Sequence, residues 1–345
     1  MIESVNEDNL SEFENYIKLN PRGSCLQSSL WAHQNPEWHW RAYIRRNEYK
    51  RVTGVVSFLV RPIPVLPFQL IYAGRGPLFD VGDYAALKEL LDALKLAAKE
   101  EMASIVRLDP PVDEADTEVI DILESYDYEI LKHKKGPGPF HPCRNWVVGT
   151  AKKSFARLQK DFTPRQAQNI RIAQHHEVEI RRGGKAYAAA FGRMIEHAAL
   201  RDTLVSETVD YYTGLMDTFG NLAKIYLALI DNRPVAGMIM ILTGTRYECV
   251  ARVDMSNPGI HAMSLLQAAV IQAAADAGYD SVSFPEARSG SQDTSHLQDS
   301  GFGGREEKLV GEMDWYVRPL LGMFSKIPLR LSAWFEKKAY FLKIR

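Results

Sequence analysis

One order of elements occurs twice along this chain of 345 residues, and that repetition narrows the available folds more than any single motif. In each half, extended apolar runs precede an amphipathic helix and then a short strand that stops in polar residues. In the first half, Val52–Val60 and Gln69–Ala73 read as strands around a loop holding Pro62, Pro64 and Pro67. Asp83 then starts a helix whose apolar face is Leu87, Leu90, Leu91, Leu94 and Ala98. Ser104–Leu108 is a short strand halted by Asp109-Pro110-Pro111, and Trp146–Val148 resumes a strand after the turn Gly136-Pro137-Gly138-Pro139.

The second half adds two leading helices. Thr163 is an N-cap, Pro164 suits the first helical position, and Gln166 completes a capping box. A helix near Ala186–Leu200 follows, then a hairpin of Ala223–Ile230 and Val235–Leu242, and a strand at Arg246–Val253. Ser264–Ala277 is a helix closed by Gly278 before strand Ser281–Phe284. The pattern predicts a mixed α/β (α+β) protein of two domains. Residues 1–148, completed by 315–345, form one domain, and residues 149–314 form the other.

Charge and cysteine content remove several function classes. The 42 basic and 43 acidic residues leave a net charge of −1, which argues against a uniformly basic nucleic-acid coat. Three scattered cysteines without a CxxC pair support neither a zinc ribbon nor a disulfide framework, and they fit a reducing cytoplasm. The acidic start (Glu3, Glu7, Asp8, Glu12, Glu14) predicts no signal peptide. The longest apolar runs are broken by Arg61 and by Asp231-Asn232-Arg233, so a soluble chain is expected. Locally the balance shifts: residues 131–185 hold 13 Lys/Arg against three acids, and residues 315–345 hold seven against Glu336 alone. Such patches on a neutral protein predict anionic partners at defined places.

The most specific stretch is Gln166–Ile180, QAQNIRIAQHHEVEI. It resembles the R-x-N-I-R-x-A-x-x-x-G-V-x-I segment of the FemABX family of peptidoglycan bridge-forming aminoacyltransferases. Six further resemblances follow the family's order: Leu26-Gln27-Ser28 with Trp31, Tyr72-Ala73-Gly74-Arg75-Gly76-Pro77, Leu108-Asp109-Pro110, Ala199-Leu200-Arg201-Asp202 before Tyr211-Tyr212, Gly301-Phe302-Gly303-Gly304, and Gly311-Glu312-Met313-Asp314. The resemblance implies two N-acetyltransferase-like (GNAT) domains, and an amino acid passed from aminoacyl-tRNA to a stem-peptide amine of a UDP-linked or lipid-linked precursor. It implies no metal and no bound cofactor. Several relatives carry a long coiled-coil arm; Thr163–Gly183 leaves room for one short helix only.

Aminolysis of an already activated ester needs a neutral amine, a cleft orienting both substrates, and stabilisation of the oxyanion. A GxSxG elbow is absent. Asp109 is the candidate to accept the amine's proton or orient the amine; capping of the Pro-Pro turn is its bland alternative. Arg75 lies in a turn whose glycines allow close backbone approach to a ligand. Trp31, His33, Tyr72, Arg201 and Tyr211 complete the candidate acceptor cleft. Lys152, Lys153, Lys160, Arg165, Arg171, Arg181 and Arg182 are the candidate tRNA-phosphate surface, against the alternative of a solvated face. His175-His176 reads as a solvated face and not a metal site, since adjacent helical residues point apart.

The sequence departs from its relatives where they carry positive charge. Ser206-Glu207-Thr208 replaces a basic residue before the tyrosine pair, Gln298-Asp299-Ser300 replaces a lysine, and His33 stands where lysine is frequent. Two rival readings remain open at this point. One is an acyl-CoA-dependent N-acyltransferase, although Asp254-Met255-Ser256-Asn257-Pro258-Gly259 lacks the glycines of a pyrophosphate-binding turn. The other is a non-enzymatic module binding RNA or a membrane surface. The tail from Phe324 mixes aromatic and basic residues, which suits either a helix on an anionic membrane or one docked on the first domain. A monomer in the cytoplasm, at the inner face of the membrane, is the expected setting.

Overall fold

A computed structural model describes residues 1–34, 38–62, 68–131, 141–202, 207–286 and 299–317. The chain divides into two compact units, the first holding Met1–Cys143 and the return segment from Lys308, the second Arg144–Glu307. The division falls at 143/144 and 307/308, not at the expected 148/149 and 314/315, because strand pairing overrides chain proximity. Pro64 and Pro67, the Gly136–Pro139 turn, Lys132, Lys134, Lys135, Ser206, Gln298 and the tail from Arg318 lie outside the described residues.

In the first unit β1 (Ile2–Ser4), α1 (Leu10–Leu19) and α2 (Ser29–Gln34) precede the hairpin of β2 (His39–Arg46) and β3 (Val52–Pro62). Then come β4 (Gln69–Gly74), β5 (Leu78–Phe79), α3 (Tyr84–Glu100), β6 (Ala103–Asp109), α4 (Thr117–Ser125) and β7 (Glu129–Ile130). The sheet order is β1-β2-β3-β4-β6, with β5 paired to β3; the return strand β15 (Met313–Tyr316) inserts between β6 and β7. β4 and β6 run parallel, from Gln69↔Ala103 to Gly74↔Asp109. Asp83 caps α3 by accepting from Ala86 N–H at 3.0 Å. The five apolar residues read from the helical period are all buried, at 0–1% exposure. They pack on Val56, Phe58, Ile71, Val106 and Leu108 from one face of the sheet. Each fully buried leucine of this layer contributes about 2 kcal/mol of transfer free energy.

The second unit begins with β8 (Arg144–Gly149), α5 (Phe155–Leu158), α6 (Pro164–His175), β9 (Glu179–Gly183), α7 (Ala188–Asp202) and α8 (Val209–Phe219). β10 (Ala223–Ile230), β11 (Arg233–Thr243), β12 (Arg246–Asp254), α9 (Ala262–Asp276), β13 (Ser281–Pro285) and β14 (Arg305–Lys308) complete it. Its sheet order is β14-β8-β13-β12-β11-β10-β9. β8 lies in this sheet, antiparallel to β13 from Asn145↔Pro285 to Gly149↔Ser281, which is why residues 144–148 leave the first unit.

Thr163 caps α6 by accepting from Gln166 N–H at 3.2 Å. The reciprocal half of the expected capping box is absent: Thr163 N–H donates to the Gly301 carbonyl at 2.9 Å, and the Gln166 side chain is buried. Tertiary contact supplied the acceptor that a local glutamine was expected to provide. His175 and His176 are both exposed. Between β8 and β9 the only α-helix longer than one turn is the 12-residue α6, so no long helical arm occurs there. Among the described residues no helix is long and apolar enough to cross a membrane, and no cluster of His, Cys, Asp and Glu is placed to hold a metal ion.

Candidate functional site

In the first unit, parallel β4 and β6 end side by side at Gly74 and Asp109, the edge of an open sheet where ligands commonly bind. Directly after Gly74, Arg75 takes a left-handed backbone (φ +51°), unusual for a side chain with a Cβ. That conformation turns the guanidinium back over the strand ends. Nη1 donates to both oxygens of Asp109 at 2.8 Å, and Nη2 donates to the Pro142 carbonyl at 2.5 Å. Asp109 is completely buried and Arg75 is 8% exposed. Burial raises the Asp109 pKa above the ordinary carboxylate value, and Arg75 opposes that rise.

The glycines beside Arg75 serve a close approach, but by the chain itself. A Cβ on Gly76 would collide with the Gln27 amide. Gln27, completely buried, donates from Nε2 to the carbonyls of Ser57 (3.1 Å) and Gly74 (2.7 Å), and its Oε1 accepts from Ser57 N–H at 2.8 Å. The pairing of β3 with β4 stops at Leu59↔Tyr72. Gln27 therefore replaces the missing backbone bonds beyond that point and holds the two strands at a fixed separation.

Beside this staple, Leu26, Trp31, Trp40, Ser57 and Tyr72 line a narrow crevice. His141 stands at its aromatic wall, stacked on Tyr72 (6.1 Å between centroids, 23° between planes) and edge-on to Trp31 (6.1 Å, 70°). Burial, first, and then the Asp109 and Glu312 charges push the Tyr72 hydroxyl well above its ordinary pKa, so it stays protonated. Tyr72 pairs across the sheet with Arg107, and Arg107 with Asp314 on β15. Arg107 holds Asp314 in a two-pronged pair at 2.7 and 2.9 Å, with Glu312 at 3.5 Å.

Of the residues singled out in the sequence, the structure brings Trp31, Tyr72, Arg75 and Asp109 into one part of the first unit. His33 does not join them. It is exposed, and it lies two positions beyond Trp31 on α2, about 200° round the helix. Tyr211 is on α8 in the second unit, edge-on to Tyr212, which packs against Phe191; Arg201 is on α7. His141, Gln27, Arg107, Glu312 and Asp314 were not assigned roles. Four of them lie in or beside the recognised motifs, where a partner-free reading gave them nothing to do. His141 follows a Gly-Pro turn and carried no signal at all.

The seven basic candidates all belong to the second unit. Lys152, Lys153, Lys160, Arg165, Arg171 and Arg182 are exposed and make no ion pair among the described residues. Arg181 differs: Glu179 takes it at 2.8 Å and Asn232 accepts from it at 2.7 Å. Arg165 and Arg171 lie about 120° apart around α6, so they do not share one helix face. Lys153 caps the Gly149 carbonyl at 3.0 Å.

The second unit also bears on acyl-CoA. β12 and β13 pair in parallel only from Arg246↔Ser281 to Glu248↔Ser283. Beyond that point Arg252 grips Asp299 at 2.9 Å to each oxygen, and Gln267 Nε2 donates to the same carboxylate at 2.6 Å. In the turn before α9, Asp254 takes the Ser256 amide (2.9 Å) and Asn257 takes the Gly259 amide (3.1 Å). Two amides of this turn are thus engaged by the chain's own side chains, while α9 itself starts after His261 without a side-chain cap.

A model of the FemAB family matches residues 9–239. The lipid II:glycine glycyltransferase of Staphylococcus haemolyticus (strain JCSC1435) is 28% identical over 243 residues, covering 68% of this chain and 57% of that protein. Its counterpart in Staphylococcus aureus (strain MRSA252) is 26% identical over 227 residues, covering 64% and 53%. The chain thus spans a little over half the length of these curated relatives. Among solved structures, FemX superposes with a TM-score of 0.79 at 17% identity, covering 94% of this chain and all of that one. A tandem GNAT protein from the clavulanic acid biosynthesis pathway gives 0.57 at 12% identity, covering 92% and 99%. At these identities the likeness is one of fold: two GNAT-like units in one chain.

Proposed function

The chain belongs to the FemAB family, and we propose that it transfers an amino acid from aminoacyl-tRNA to an amine on the stem peptide of a peptidoglycan precursor. The observation that carries the reading is the gathering of Trp31, Tyr72, Arg75 and Asp109 where β4 and β6 end, inside the span matched by the family. The relatives' name supports a lipid-linked acceptor and glycine as the amino acid. In this reading the enzyme works at the cytoplasmic face of the membrane.

The chemistry is aminolysis of an ester. The stem-peptide amine, once neutral, attacks the ester carbonyl, and the carbonyl oxygen takes up negative charge. Collapse breaks the bond to the tRNA ribose, the new amide loses the extra proton on nitrogen, and the ribose oxygen regains a proton. Trp31, His141 and Tyr72 form the wall against which the acceptor is oriented. The Arg75 guanidinium, locked by Asp109 and the Pro142 carbonyl, offers a pre-oriented positive charge at the strand ends. Asp109, completely buried with both oxygens on Arg75, is a positioning group that keeps that charge in place. The unpaired Lys and Arg of the second unit supply the phosphate-binding surface for tRNA.

The test uses the full chain, glycyl-tRNA labelled in glycine, and a lipid-linked precursor in detergent. Label should move to the precursor, and Arg75→Ala with Asp109→Ala should abolish that movement. Binding of tRNA irrespective of its aminoacyl group, without any transfer, would establish an RNA-binding module instead. Stabilisation by CoA, and by neither tRNA nor precursor, would establish an acyl-CoA enzyme.

A further inference from the structure

Large apolar side chains seldom stand fully in water near one another, yet three do so at one end of the first unit. Leu19 is 84% exposed, Tyr49 81% and Val81 75%. They come from three separate loops: the end of α1, the tip of the β2–β3 hairpin, and the turn before α3. Hydrogen bonds draw these loops together. Asp80 N–H donates to the Thr53 carbonyl at 2.9 Å, and Tyr16 Oη reaches both Thr53 O and Asp80 Oδ1 at 2.9 Å. Asn20 Nδ2 donates to the Phe79 carbonyl at 3.4 Å, and Arg51 pairs with Asp80 at 3.5 Å.

The charges at these tips that make no ion pair among the described residues are positive on balance. Lys18, Lys50 and Arg51 are exposed beside them, and Lys18 and Lys50 make no ion pair among the described residues. The acids nearby are Glu48, next to Tyr49 in the chain, and four that are already engaged: Asp80 by Arg51 and Tyr16, Asp83 by Arg45, and Glu3 and Glu12 by Arg46, which also donates to the Lys50 carbonyl at 3.2 Å. Apolar tips with lysines between them match an anionic lipid interface, where the side chains enter the acyl boundary and the ammonium groups stay among the headgroups.

Strand direction places this rim at the functional end of the sheet. β3 runs antiparallel to β4, so the end where β3 begins is the end where β4 and β6 finish at Gly74 and Asp109. Ser57, held by Gln27 at the crevice, is four residues from Thr53 beneath the rim, roughly 13 Å along the strand. The rim and the crevice therefore belong to one end of one sheet.

We propose that Leu19, Tyr49 and Val81, with Lys18 and Lys50, form a membrane-seating rim that sets the crevice of the first unit against an anionic bilayer surface. The inference deepens the reading of a lipid-linked acceptor and rests on it for its purpose, though not for its test. It needs no helix that crosses the membrane.

Vesicle flotation of the full chain decides it. The wild type should float with phosphatidylcholine vesicles containing phosphatidylglycerol, and Leu19→Ser/Tyr49→Ser/Val81→Ser should bind them on the order of tenfold or more weakly, with an unchanged melting temperature. Lys18→Gln/Lys50→Asn should lose the preference for anionic over neutral vesicles. Tyr49→Trp should gain fluorescence that brominated lipids quench. The inference is overturned if the triple variant floats like the wild type, or if Trp at 49 is not quenched. It is equally overturned if flotation is lost only in Lys337→Gln/Lys338→Gln/Lys343→Gln, or if the triple variant changes only self-association. Transfer assays separate this from the function itself. The triple variant should lose activity on acceptor presented in vesicles and keep it on a water-soluble, nucleotide-linked acceptor. If neither acceptor is used even by the wild type, the transferase reading fails, while flotation still judges the rim.

Discussion

Arg75 and Asp109, 34 residues apart in the chain, form an ion pair in which a single guanidinium nitrogen lies 2.8 Å from both carboxylate oxygens and water has no access to the acid. Such a pair brings little net stability over apolar residues, but losing one partner strands a buried charge. Replacing Arg75 by Met should lower unfolding free energy by about 3–5 kcal/mol at neutral pH, measured by urea denaturation.

The same substitution predicts a pH dependence with a definite sign. Without Arg75, burial acts on Asp109 unopposed, so its folded pKa rises further above the unfolded value. A raised folded pKa gives a contribution that is complete below the unfolded pKa and is lost as pH climbs through the folded one. The stability deficit of Arg75→Met should therefore be small near about pH 4 and grow towards pH 7. A deficit independent of pH would show that Asp109 is not the group left exposed to the change.

His141 makes two ring contacts and no recognised motif accounts for it. His141→Ala should raise KM for the acceptor roughly tenfold with a smaller change in kcat, since aromatic contacts of this kind contribute about 1 kcal/mol each. His141→Phe, which keeps the ring, should recover most of the loss. If Phe is as poor as Ala, the imidazole nitrogens and not the ring face are what the site uses.

Gln27 and Gly76 should be energetically coupled. Gln27→Ala leaves the Ser57 amide, the Ser57 carbonyl and the Gly74 carbonyl without their partner, a loss of about 3 kcal/mol. Gly76→Ala pushes the Gln27 amide out of the same three bonds. The double variant Gln27→Ala/Gly76→Ala should therefore be clearly less destabilised than the sum of the single ones, by thermal or urea melting.

Salt dependence distinguishes the basic residues. Lys152→Gln, Lys153→Gln and Lys160→Gln should each weaken tRNA binding and flatten the slope of log K against log salt by up to about 0.9. Arg181→Gln should change both far less, because Glu179 already neutralises Arg181.

Much of the secondary structure was legible because its causes are local. Asp83 and Thr163 cap the helices they precede through bonds three residues long. The apolar period of α3 faces inward over its whole length, and Gly278 (φ +75°) follows α9 as expected of a residue without a Cβ. β2 went unread: His39–Arg46 interleaves Trp40, Tyr43 and Ile44 with three arginines. Arg41, Arg45 and Arg46 are tolerated on it because Glu101, Asp83, Glu89, Glu3 and Glu12 come from elsewhere in the chain to meet them.

The site divides along the same line. Trp31, Tyr72, Arg75 and Asp109 were singled out by the family resemblance of the motifs that hold them, helped by local chemistry at two of them: an arginine between glycines and an acid before two prolines. Their partners depended on register between distant strands. Asp109 meets Arg75 because β6 lies parallel to β4 with Gly74 opposite Asp109, and His141 reaches Tyr72 from 69 positions away. Backbone torsions and caps answer to the nearest few residues, so a chain announces them. A buried charge or ring takes whichever neighbour the closed sheet delivers, and only the assembled strands determine which neighbour that is.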